Sequence, residues 1–112
     1  MAALTLEHIE KELLEAGDQV IPGRLGDYRV WLAAQNSLLS GEMQRILAIK
    51  APAWNAMREK KNSDKATDRQ WQATELGQRE TWLKWELKRI AGIASAINTK
   101  INLANEESRN RY

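Results

Sequence analysis

The chain has 112 residues, 29% of them charged, and no cysteine. That length suits one small domain or helical subunit, and the absence of thiols excludes disulfides and thiolate metal sites. The formal net charge is only +2, but residues 1–20 set five acids (Glu7, Glu10, Glu12, Glu15, Asp18) against Lys11, leaving residues 21–112 at about +6, a basic body that points to a polyanionic partner.

Leu, Ala, Glu, Lys, Arg and Gln dominate and no segment alternates apolar with polar residues, so the expected fold is all-α. Residues 1–20 read as an acidic amphipathic leader whose helix, over residues 5–16, places Leu6, Ile9 and Leu13 on one stripe. Gly17 stands where a C-cap belongs. Residues 18–26 are expected to connect it to a long helix starting near Asp27, a good N-cap. Leu32, Leu39, Met43 and Ile46 mark that helix's stripe, which continues to Met57. Pro52 removes a backbone donor and clashes with the preceding turn, which predicts a kink or a break. Residues 60–63 read as a polar loop, residues 64–73 as a short helix, and residues 74–77 as a second break. In the last helix Leu83, Leu87, Ile90, Ala94, Ile97, Ile101 and Ala104 alternate by four and three. That heptad seam packs against another helix, of the same chain or of a copy. Residues 106–112 are expected to fray, and the whole chain to form a single helical domain.

The aromatic content is unusual: five Trp, two Tyr and no Phe. Indoles favour sites with one wet side and serve as stacking platforms for unpaired bases. Arg79, Trp82, Lys84, Trp85, Lys88 and Arg89 cluster away from the heptad seam, with Trp85 almost opposite it. Such cations can hold phosphates while the indoles stack on bases; the alternative is that the rings close a small bundle. A second basic group, Arg58, Lys60, Lys61, Lys65 and Arg69, has Trp54 and Trp71 at its edges and is diluted by Glu59, Asp64 and Asp68. Asp64 and Asp68 share a helix face, a spacing read as surface charge pairing with Lys65 and Arg69 rather than as a magnesium site. His8, the only histidine, stands four residues before Glu12 with no second His or Cys to complete a metal site. No phosphate-cradling glycine loop or nucleophile elbow occurs. The expectation is a non-catalytic protein without metal or cofactor. The Leu6, Ile9, Leu13 stripe is either a docking face for a partner protein or a cap on its own subunit.

The order of features carries a resemblance. An acidic opening helix (Leu6-Glu7-His8-Ile9-Glu10-Lys11-Glu12-Leu13) leads through a connector into a long helix over residues 28–50. That helix contains Glu42-Met43-Gln44-Arg45-Ile46, and a basic polar loop and a final helix ending in residues 97–109 follow. This architecture resembles the recombination mediator proteins of tailed phages, the UvsY type, over most of the chain; the opening helix and residues 42–46 are the nearest pieces. The resemblance implies a helical homo-oligomer that binds single-stranded DNA and helps load a RecA-like recombinase onto DNA coated by single-strand binding protein. Lys60, Lys61 and Lys65 would then lie in a DNA-contact loop, and the seam of the last helix would supply assembly contacts.

The N-terminus lacks a basic-then-apolar signal pattern and no apolar run approaches ~18 residues. The expected location is therefore the cytoplasm, that of the host if the protein is phage-encoded. Two other readings stay open. One is a helical adaptor or phage assembly protein acting only through protein contacts, with buried tryptophans. The other is a small helical subunit of an RNA-guided defence complex.

Overall fold

A computed structural model describes residues 4–16, 22–60 and 63–110. Their secondary structure is entirely helical: α1 (Leu6–Ala16), α2 (Pro22–Arg58), α3 (Asp64–Ala73) and α4 (Glu75–Asn110). The expected all-α fold is the observed one, and α3 has the expected bounds. No helix among the described residues is long and apolar enough to cross a membrane.

Several boundaries differ from expectation. α2 begins at Pro22, five residues before Asp27; proline is tolerated in a first turn, where its missing N–H has no intrahelical partner. Leu25 and Tyr28, near this early start, are both buried. Of the kink or break expected at Pro52, the break does not occur: α2 runs through it to Arg58. An internal proline costs about 3 kcal/mol. Ala53, Trp54 and Met57 pack on the core just beyond it. The break expected over residues 74–77 shrinks to Thr74, and α4 continues through residues 106–110, where fraying is expected from the sequence. Gly17 lies outside the described residues.

Local caps explain the helix starts. The Thr5 hydroxyl accepts from the His8 N–H at 3.1 Å, opening α1. The Ser63 hydroxyl accepts from the Ala66 N–H at 3.1 Å, opening α3. Thr74 both ends α3 and starts α4. Its N–H and hydroxyl donate to the Trp71 carbonyl at 3.0 and 2.6 Å, while its hydroxyl accepts from the Gly77 N–H at 3.0 Å.

The chain forms two compact units. The first joins α1, the α2 segment up to Asn36 and the α4 segment from Arg89. Its buried residues are Leu6 and Ile9 of α1, Leu25, Tyr28 and Leu32 of α2, and Ile90 and Ile97 of α4. Arg24 donates to Glu12 at 2.6 Å, the Tyr28 hydroxyl donates to the other Glu12 oxygen, and Arg89 pairs with Glu7 and Glu10. The second unit, Ser37–Lys88, centres on Ile46, Trp71 and Leu83, with Leu39 and Met43 packed against them.

One sequence assignment changes, and the choice left open for the α1 stripe, docking face or cap on its own subunit, falls to the cap. Leu83, Ile90 and Ile97 of the seam assigned to assembly are buried within a single chain, and Leu87, Ala94 and Ile101 are half-buried. The chain's own packing thus already uses these positions. Ala104, the last of the seam, is exposed. Leu6 and Ile9 of the proposed docking stripe are likewise buried and Leu13 is half-buried, so that stripe faces its own unit.

Candidate nucleic-acid interface

The second unit holds ten Lys and Arg against seven Asp and Glu, a net +3, which leaves the rest of the chain at −1. The positive charge and the exposed indoles therefore fall in the same unit. Of the five tryptophans only Trp71 is buried; Trp31 and Trp54 are half-buried, whereas Trp82 is 46% and Trp85 68% exposed.

Helical spacing sets this arrangement. With Leu83 and Leu87 turned to the packed side of α4, Trp85 falls on the far side. Each exposed indole has a cation over it. The Arg79 guanidinium lies 4.3 Å from the Trp82 ring centre and the Lys88 ammonium 5.4 Å from that of Trp85. Such contacts orient both partners and contribute about 0.5–1 kcal/mol at exposed sites.

The cations are not equally available. Arg79 makes a two-pronged contact with Glu42 of α2, at 2.6 Å from Nε and 3.0 Å from Nη2. That hydrogen bond holds the Glu42 carboxyl below the usual carboxylate range. Lys84 lies 3.5 Å from Glu80, which also accepts from Lys50 at 3.0 Å and from the Trp71 indole N–H at 3.4 Å. Burial pushes the Glu80 carboxyl up, but Lys50, Lys84 and the indole outweigh it, so the group stays below its ordinary range and ionised. Arg89 belongs to the first unit, where Glu7 and Glu10 of α1 engage it.

In the second basic group, the acids expected to pair with Lys65 and Arg69 along α3 pair with α2 instead. Asp64 meets Arg58, and Asp68 accepts from the Trp54 indole N–H at 2.9 Å. Arg58 is thereby neutralised and lies 5.9 Å from the Trp54 ring centre. Lys60, Lys65 and Arg69 are exposed without an ion-pair partner among the described residues. Lys65 and Arg69 stand one helical turn apart on one face of α3. Lys61 lies outside the described residues.

Other candidates resolve simply. His8 Nε2 lies 3.5 Å from Glu12, a surface pair, and no group of three His, Cys, Asp or Glu fit for a metal occurs among the described residues. Sequence reasoning missed Glu42 and Glu80. Glu80 was detectable, because it lies three residues before Leu83 in the same four-and-three register. Glu42 had no such signal, since its partner is 37 residues away.

Comparison with known protein families, with curated proteins and with solved structures finds no match.

Proposed function

We propose that this protein is a non-catalytic binder of single-stranded nucleic acid, acting as a recombination mediator that helps load a RecA-like recombinase onto DNA covered by single-strand binding protein. The observation that supports binding is the exposed pair Trp82 and Trp85, each beside a cation, in the unit that carries the excess positive charge. Indoles stack on any base, at about 1–3 kcal/mol per base, so they suit a strand of arbitrary sequence. Lys60, Lys65, Arg69 and Lys88 supply phosphate contacts that release counterions. The mediator role rests on the resemblance in helix order. Assembly of several copies multiplies weak contacts into firm binding, and the copies meet on surfaces other than the buried seam.

The test is titration of a fluorescent single-stranded oligonucleotide at low and moderate salt, following anisotropy and intrinsic Trp emission. The expected result is binding that weakens with salt and quenches Trp emission, with both effects reduced in Trp85→Ala. Absence of binding at low salt would sink this reading in favour of an adaptor working through protein contacts alone. Recombinase filament formation on protein-coated DNA, with and without this chain, tests the mediator role.

A further inference from the structure

The two exposed indole–cation pairs are unequal. Lys88 over Trp85 has no carboxylate partner among the described residues, whereas Arg79 over Trp82 is gripped by Glu42 through two separate nitrogens. A guanidinium offers that fork to any anion with two oxygens on one centre, carboxylate or phosphate. It also lies against an aromatic ring, where a stacked base would leave its own phosphate close by.

We infer that the Glu42 carboxylate occupies the seat of a backbone phosphodiester, and that a bound strand takes Arg79 over from Glu42 at Trp82. This inference rests on the nucleic-acid reading of the same unit. Trp85 with Lys88 is the open half of the site and receives the first base. Trp82 with Arg79 is the closed half, engaged only when a phosphate displaces the resident carboxylate. Glu42 is therefore a specificity-determining residue: a lone phosphate must compete with it unaided, whereas a strand already stacked on Trp85 presents its next phosphate at high local concentration.

The exchange has a thermodynamic signature. In the wild-type protein Arg79 swaps one anion for another, so its phosphate contact adds little to the salt dependence. With Glu42 neutralised, Arg79 contributes a full contact, and the slope of log K against log salt steepens by about 0.7, the value per phosphate on a single strand. Affinity rises by the strength of a half-exposed ion pair, about two- to fivefold.

The experiment measures anisotropy of a labelled thymidine oligonucleotide across a salt series for the wild type, Glu42→Gln and Glu42→Ala. Two controls accompany them: Arg79→Ala with and without Glu42→Gln, and Glu75→Gln, which removes the same charge elsewhere in the unit. Expected is tighter binding and a steeper slope for both Glu42 variants, no gain from Glu42→Gln once Arg79 is gone, and an unchanged slope for Glu75→Gln. Wild-type affinity and slope in both Glu42 variants would overturn the inference and leave the nucleic-acid reading standing. A gain that persists without Arg79 would overturn it too. Failure of the wild type and the Glu42 variants alike to bind at low salt overturns both readings.

Discussion

Gly77 lies directly against the backbone of Trp71: a Cβ built on the glycine would fall 1.9 Å from the Trp71 carbonyl oxygen. The obstacle is backbone, which cannot rotate aside as a side chain can. Gly77→Ala is therefore expected to push α3 from α4 and to destabilise the protein by roughly 1–3 kcal/mol or more. Gly92, within α4, meets nothing within 4 Å. Gly92→Ala should stabilise by up to about 1 kcal/mol through helix propensity alone. Urea denaturation of the two variants should show midpoints displaced in opposite directions.

Trp71 and Trp85 sit on opposite sides of the distinction between core and surface, at 3% and 68% exposure. Trp71→Ala is expected to cost about 3–5 kcal/mol by leaving a cavity beside Ile46 and Leu83. Trp85→Ala should change stability by less than about 0.5 kcal/mol while weakening oligonucleotide binding. Thermal melts and binding isotherms on both variants separate the two roles.

Lys65 and Arg69 are exposed on α3 with no acid partner among the described residues. Replacing both with Ala is expected to weaken oligonucleotide binding whatever its base composition. The log K against log salt slope should become shallower by about 0.7 for each phosphate no longer neutralised. An unchanged slope in the double variant would remove α3 from the interface.

Glu80 is ionised in the folded unit, with its carboxyl held below its ordinary value of 4.5. A depressed folded-state pKa contributes stability above the unfolded value and loses it as pH falls toward the folded one. The melting temperature is therefore expected to drop as pH is lowered through about 4.5 and below. In Glu80→Gln the acid-dependent part of that drop should shrink. The variant should also be weaker at neutral pH by roughly 1.5–3 kcal/mol, the usual scale for hydrogen bonds to a charged group.

Tyr28 behaves with the opposite sign. Burial, then the hydrogen bond to Glu12, pushes its phenol from 10.0 up to about 12. A raised folded-state pKa gives stability that is complete below the unfolded value and fades as pH rises through the folded one. Stability should therefore decline between about pH 10 and 12. Ultraviolet titration of the phenolate should show a late-ionising tyrosine that is missing in Tyr28→Phe.

Much of this fold was legible because its signals are local. The four-and-three spacing from Leu83 to Ile101 placed the packed side of α4, and the polar run before Asp64 placed the start of α3. The misplaced features depend on distant partners. Pro52 forecasts a kink or a break from backbone chemistry alone, whereas α2 continues through it to where Trp54 and Met57 pack on the core. Asp68 stands three residues after Lys65, a spacing at which helical side chains meet, but the Trp54 indole claims it from another helix, as Arg58 claims Asp64. Arg89 is close in sequence to Trp85, yet acids some eighty residues earlier hold it. The angles of Trp82 and Trp85 on the helix leave stacking platform and bundle packing both open, and only the structure exposes the two rings; the grip of Glu42 on Arg79 likewise appears only once α2 and α4 are laid side by side.

The joint at Thr74 fixes how this chain can change length. One residue ends α3 and begins α4, so no spare link takes up an insertion. Adding a residue there would lift Gly77 from the Trp71 carbonyl and turn every later side chain of α4 by about 100°, sending Glu80 and Leu83 outward and Trp85 toward the core. At the turn after α2 the described backbone bonds are local, from the Glu59 N–H to the Asn55 carbonyl and from the Lys60 N–H to the Met57 carbonyl. In descendants of this sequence the spacing from Trp71 to Leu83 therefore stays constant, a ruler by which distant relatives can be aligned when their residues no longer match.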